Sequence, residues 1–124
     1  MKKRLLRLHK SFIYARNGIW HALLTQPNMW IHLFIGITAM LMAWILHFSV
    51  IEWAVLLLVI TLVFILEMVN TVAEIVVDIA SPEFSDLARI AKDVAAGSVL
   101  IAACGALAVG LLLFGTKLWP ILFG

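Results

Sequence analysis

Charge is scarce in this chain. Only 13% of its 124 residues are charged, 65% are hydrophobic, and the mean hydropathy is +1.11. A soluble domain carries about 25% charged residues. So little polar surface cannot cover a water-exposed globule, which leaves the bilayer as the solvent. Cysteine is nearly missing: the single Cys104 excludes an intrachain disulfide and reads as a small apolar packing residue. No phosphate-binding P-loop is present, because Gly105 and Gly110 are not followed by Gly-Lys-Ser or Gly-Lys-Thr. Those glycines fall in an apolar stretch and suit close helix packing. The four histidines, His9, His21, His32 and His47, are scattered without zinc spacing. The basic N-terminus leads into a mixed amphipathic stretch, not a compact apolar core with a cleavage site, so no secretory signal is expected.

What is present is a set of apolar helices. Residues 1–25 are basic, with Leu5, Leu8, Phe12, Ala15, Ile19 and Leu23 at helical spacing and Arg7, Tyr14 and His21 on another stripe. Such a helix lies in the membrane interface, and a plain anchor on anionic lipid heads accounts for its charge. Gln26-Pro27-Asn28 breaks it. Membrane spans are expected over 29–50, 53–77 and 94–115, each near the roughly 20 apolar residues that a crossing needs. Trp30, Trp53 and Trp119 sit near span ends, as interfacial aromatics do. The segment 78–93 is a polar loop. In it Ser81-Pro82-Glu83 predicts the start of a short helix, with a capping hydroxyl, a proline in the first turn and an acid at the positive end of the dipole. The expected fold is an all-α membrane protein of one domain over 1–124. Three helices enclose little interior, so a homo-oligomer is expected.

Orientation follows from the nine Lys and Arg residues. Lys2, Lys3, Arg4, Arg7, Lys10 and Arg16 precede the first span, Arg89 and Lys92 lie between the second and third, and Lys117 alone falls on the other side. The positive-inside rule places the N-terminus and the 78–93 loop in the cytoplasm.

The acids are gathered. Six of seven (Glu67, Glu74, Asp78, Glu83, Asp86 and Asp93) lie between positions 67 and 93. Glu67, Asn70, Glu74 and Asp78 are spaced three, four and four apart, which lines one helix face. The stripe begins inside an apolar span, where a carboxylate costs roughly 2.5–3.5 kcal/mol on insertion scales. It must therefore face another helix, a wet cleft or a cation; an interhelical polar clasp is the plain alternative to a site. Oxygen ligands at a membrane surface suit Mg²⁺, which takes one or two carboxylates together with phosphate oxygens. Lys92 beside Asp93 adds a phosphate-binding cation. Phosphoryl transfer asks for a metal, cationic clamps, an aligned nucleophile and a base. A carboxylate just inside the membrane can take the proton of an alcohol whose apolar tail stays in lipid.

ILEMVNTVAEIVVD (65–78) followed by AKDVAAGSVL (91–100) resembles the signature of the small prokaryotic diacylglycerol kinase and undecaprenol kinase family. The resemblance covers nearly the whole chain. It implies a homotrimeric lipid kinase of the bacterial plasma membrane, with ATP as phosphate donor, Mg²⁺ as cofactor and a lipid alcohol as acceptor. It implies Glu67 as the proton acceptor and Glu74 as a metal ligand. Asn70 and Asp78 fall on active-site positions, and Glu83, Lys92, Asp93, Arg7 and Tyr14 on positions that reach the nucleotide. The wording AKDVAAGSVL and His32 are closer to the undecaprenol branch. One departure stands out. The family's acid before the first span is Gln26 here, in Gln26-Pro27-Asn28-Met29-Trp30-Ile31-His32, and Trp30 replaces a common arginine. A glutamine carbonyl binds Mg²⁺ more weakly than a carboxylate. The competing readings are a small ion-coupled transporter with Glu67 as proton relay, and a catalytically weakened assembly subunit, which Gln26 favours.

Overall fold

The computed structural model describes residues 2–83 and 85–124; Met1, Phe84 and the side chain of Lys2 lie outside the described part. Four helices follow one another: α1 (Lys2–Thr25), α2 (Pro27–Ile45), α3 (Val50–Ala80) and α4 (Asp86–Phe123). There is no strand among the described residues. The last three helices are each long and apolar enough to cross a membrane. The all-α fold with three such helices is thus the architecture that the composition predicts.

Helix α1 touches α2 and α3 through its last turns, where Ala22 is 2% exposed. The stripe of Leu5, Leu8, Phe12 and Ile19 stays exposed, as an apolar face turned to a lipid surface does. The chain leaves α1 at Gln26, whose backbone is extended, and Pro27 opens α2 where a missing N–H costs nothing.

The link between α2 and α3 is built from two caps. His47 takes φ 52°, its N–H donates to the Trp44 carbonyl (3.2 Å), and the N–H of Phe48 donates to that of Ala43 (3.0 Å). These two bonds form a Schellman ending. It folds Phe48 back onto Ala43, Leu56 and Phe114. Next, Ser49 and Glu52 form a reciprocal capping box, with Ser49 N–H donating to Glu52 Oε2 at 2.7 Å. Helix α3 therefore begins at Val50, three residues ahead of the expected Trp53. Lys117 of α4 meets Glu52 at 3.1 Å and ties this end to α4.

The opposite link differs from the expectation. Ser81 does not open a helix; it closes α3, with its N–H on the Val77 carbonyl. The next helix starts after Ser85 and runs unbroken from Asp86 through Lys92 and Asp93 into the span. No proline or glycine separates Asp86 from Ala96, so two turns project straight off the span instead of forming a separate helix. At its far end α4 continues past Gly115 to Phe123, through Pro120.

Helices α3 and α4 share the most extensive contact, and α2 lies against α3. Gly36 allows close approach, since a Cβ there would meet Ile60 Cγ2 at 3.4 Å. The three helices border an apolar groove of about 610 Å³, lined by His32, Gly36, Ala39, Ile60, Ala106 and Gly110 among others.

Candidate active site

The inner half of the acidic stripe of α3 is buried within the chain, while Asp78 at its outer end is exposed. Glu67 is 1% exposed, Asn70 6% and Thr71 5%, all among the most buried residues of the chain. Along α3, Glu74 lies seven residues and Asp78 eleven residues beyond Glu67, toward the C-terminal end of the helix.

Glu67 packs against α2. His32 Nε2 stands 3.2 Å from Glu67 Oε1, at ion-pair distance but out of line for a hydrogen bond. Among the described residues neither carboxylate oxygen has a hydrogen-bond partner, and Asn70 Oδ1 is equally buried and unpartnered. Glu67, Asn70 and His32 line a cavity of about 260 Å³ together with Asn28, Ala96, Val99, Leu100 and Ala103. Its floor residues on α4 are small or aliphatic, so the polar groups come from α2 and α3 alone.

About two turns farther along α3 is a second cluster. Glu74 Oε1 accepts from Asn70 Nδ2 (3.0 Å) and Oε2 from Gln26 Nε2 (2.8 Å). Gln26 reaches Glu74 because the break between α1 and α2 places it beside α3. A third cluster lies farther out, where Lys92 pairs with Asp78 and Arg89 Nη1 donates to Asp93 at 3.0 Å. With Ser81, Glu83 and Ser85 these residues line a cavity of about 360 Å³.

The residues singled out in the sequence thus fall into three levels along one side of α3: Glu67; then Gln26, Asn70 and Glu74; then Asp78, Glu83, Lys92 and Asp93. Two do not join them. Arg7 and Tyr14 are exposed on α1, with Tyr14 68% exposed, and among the described residues the Arg7 side chain makes no ion pair. Two others were missed. Arg89 carried a signal, its i,i+4 spacing to Asp93. His32 beside Glu67 carried none in its spacing, because the contact joins two helices.

The geometry fits a small prokaryotic lipid kinase, and so do the comparisons with known proteins. Residues 13–114 match the family described as prokaryotic diacylglycerol kinase. The chain belongs to that family. It is a lipid kinase by membership, and the ion-coupled transporter is not favoured. The chain is 36% identical to the undecaprenol kinase of Bacillus subtilis (strain 168) over 117 residues, 94% of this chain and 95% of that one. It is 48% identical to a diacylglycerol kinase of a Synechocystis strain over 101 residues, 81% of this chain but 58% of that protein. A Helicobacter pylori diacylglycerol kinase is 28% identical over 113 residues.

A divalent cation is implied by kinase chemistry, and the middle cluster suits it. Among the described residues no three His, Cys, Asp or Glu side chains come together to hold a metal by themselves. The donor set at Glu74 is one carboxylate flanked by two side-chain amides, with the Asn70 carbonyl oxygen buried and unpartnered. Both amides turn their N–H groups to Glu74 here, and their oxygens with the carboxylate make a set of hard donors too few for a closed cage. That is the pattern for Mg²⁺ that shares its coordination with phosphates and water.

Proposed function

We propose that this kinase transfers the γ-phosphate of ATP to the hydroxyl of a membrane lipid alcohol, with polyprenol the preferred acceptor. Glu67 carries the reading. It is a fully buried carboxylate without a hydrogen bond among the described residues, set in the apolar run of α3 next to clusters suited to cation and phosphate. A lipid alcohol can bring its hydroxyl to that depth while its chain stays in the apolar groove.

Each level has a task. Glu67 takes the hydroxyl proton as the lipid oxygen bonds to the γ-phosphorus and the bond to the β–γ bridging oxygen breaks. ADP leaves, and Glu67 returns the proton to water. Glu74 and Gln26 would hold Mg²⁺, which supplies charge neutralisation on the phosphates when bound. Lys92 contributes a cation to the phosphates once it turns from Asp78, and Asp93, Glu83, Asp78 and Asn70 shape the nucleotide site. Arg7 and Tyr14 lie apart from that site within one chain; a swing of α1 or a neighbouring subunit would bring them to the nucleotide. The N-terminus and the 78–93 loop face the cytoplasm, where ATP is. The full-length match to an undecaprenol kinase, covering 95% of it, supports the polyprenol acceptor.

The deciding assay uses purified protein in lipid with γ-labelled ATP and a panel of polyprenols, diacylglycerols and short-chain alcohols. Label is expected in a polyprenyl phosphate first. No labelled lipid from any acceptor overturns the reading, and faster labelling of diacylglycerol reverses the acceptor order.

Two further results are expected. Lys92→Met should raise the KM for ATP roughly ten-fold or more, the size of one lost charge-assisted contact of about 1.5–3 kcal/mol. Its thermal stability should hold, because the pair with Asp78 is exposed and such pairs contribute little. An unchanged KM would remove Lys92 from the nucleotide. The detergent-corrected mass should be that of a homotrimer, since three spans leave the cavity beside Glu67 open; an active monomer would contradict it.

A further inference from the structure

Glu67 is short of partners, and the reason lies in its surroundings. Asn70 gives its amide to Glu74. The Thr71 hydroxyl donates to the backbone carbonyl of Glu67 and not to its carboxylate. Every nearby donor on α3 is thus committed elsewhere. Among the described residues, His32 is the only basic side chain within ion-pair reach of this carboxylate. The His32 side chain is 19% exposed and that of Glu67 1%. At a separation of 3.2 Å, a modest turn of the imidazole is enough to line its Nε2–H up with Glu67 Oε1.

His32 also stands at a junction. It lines both the cavity that holds Glu67 and Asn70 and the apolar groove that runs along Gly36, Ala39 and Gly110. A lipid alcohol lying in the groove would pass His32 at the point where its chain ends and its hydroxyl begins.

We infer that His32 is a positioning residue for Glu67: its Nε2–H holds Oε1, fixes the carboxylate rotamer, and leaves Oε2 to receive the proton of the lipid hydroxyl. The inference rests on the reading of Glu67 as the base. A glutamate carboxylate with no other tether swings about three side-chain torsions. Holding one oxygen keeps the other within reach of the incoming hydroxyl, and a misplacement near 1 Å can cost about 100-fold in rate. His32 itself touches neither phosphate nor leaving group in this scheme, so its effect falls on the chemical step and not on binding.

The test is a set of four variants assayed in lipid: His32→Leu, His32→Gln, Glu67→Gln and the double variant His32→Leu/Glu67→Gln. Glutamine carries an amide N–H near the position of the imidazole Nε2. For His32→Leu, kcat should fall about 10- to 100-fold while the KM values for ATP and lipid stay within about two-fold. His32→Gln should recover most of that loss. The double variant should be no slower than Glu67→Gln, because residues that act as one unit are not additive. Unchanged kcat in His32→Leu, with Glu67→Gln inactive, overturns the inference and leaves the base in place. A further loss in the double variant, or no recovery with glutamine, also overturns it by showing that His32 acts through packing. An active Glu67→Gln removes the base reading itself.

Discussion

Glu67→Gln is expected to lose about 10²–10⁴-fold in turnover, the usual worth of general acid–base help. The substitution changes almost nothing in shape, so the loss reports basicity alone. Nucleotide affinity should be nearly intact. Glu74 is seven residues farther along α3 and Asp78 eleven, about 10 Å and 16 Å at 1.5 Å per residue. Stability should move the other way. The carboxylate is 1% exposed with neither oxygen hydrogen-bonded among the described residues, and an amide of the same shape takes its place without breaking a hydrogen bond. The variant is thus expected to melt in detergent no lower than the parent while failing to label lipid. Loss of activity with unchanged or raised Tm is the signature of a residue kept for chemistry at a cost in stability. Turnover within ten-fold of the parent would remove Glu67 from the base role. A collapse in Tm would make it the interhelical clasp.

The second large effect is expected at Glu74, and Gln26 decides its size. The Glu74 carboxylate meets Gln26 Nε2 at 2.8 Å and Asn70 Nδ2 at 3.0 Å, so it has neutral neighbours only. Glu74→Gln leaves an all-amide cluster, and Mg²⁺ gives up its waters reluctantly for neutral donors. Activity should nearly vanish at ordinary magnesium and return only in part at high concentration. Gln26→Glu should do the reverse. One added unit charge about 4 Å from the cation contributes at least about 1 kcal/mol even in water, or roughly five-fold in affinity. The magnesium concentration for half-maximal activity should drop by at least that factor. Without metal the same variant sets two carboxylates against each other where a 2.8 Å hydrogen bond stood. Its Tm should fall in chelator and recover with Mg²⁺, because a ligand that binds only the folded state stabilises it. A magnesium titration and a melting curve with and without chelator read both effects. If Gln26→Glu leaves the half-saturation point unchanged, the side chain serves only to join α1 to α2.

Much of this protein follows from local sequence. The scarcity of charge and the apolar runs determine the solvent, because no packing arrangement can give a 65% hydrophobic chain a polar coat. The stripe Glu67–Asn70–Glu74–Asp78 is likewise local: 3.6 residues per turn put those positions on one face of any helix that contains them. Helix ends were less legible. Ser49 and Glu52 carry the capping-box spacing, and reading it would have started α3 at Val50. Ser81-Pro82-Glu83 carries an equally good start signal that goes unused, because the chain there is closing α3 and the next helix opens after Ser85. A cap signal states what a residue can satisfy, and the neighbouring helix decides whether it is asked to.

Only the tertiary structure decided who faces whom. Gln26 and Glu74 are 48 positions apart, and no periodicity links them. The break at Pro27 and the lie of α2 on α3 bring them together. The crossing of the same two helices sets His32 against Glu67, a histidine that spacing alone leaves unremarked. Sequence periodicity assigns each polar residue a face, since that depends on backbone geometry within one helix. Pairing depends on the angle and offset between helices, which are set by contacts such as Gly36 with Ile60 and Phe48 with Phe114.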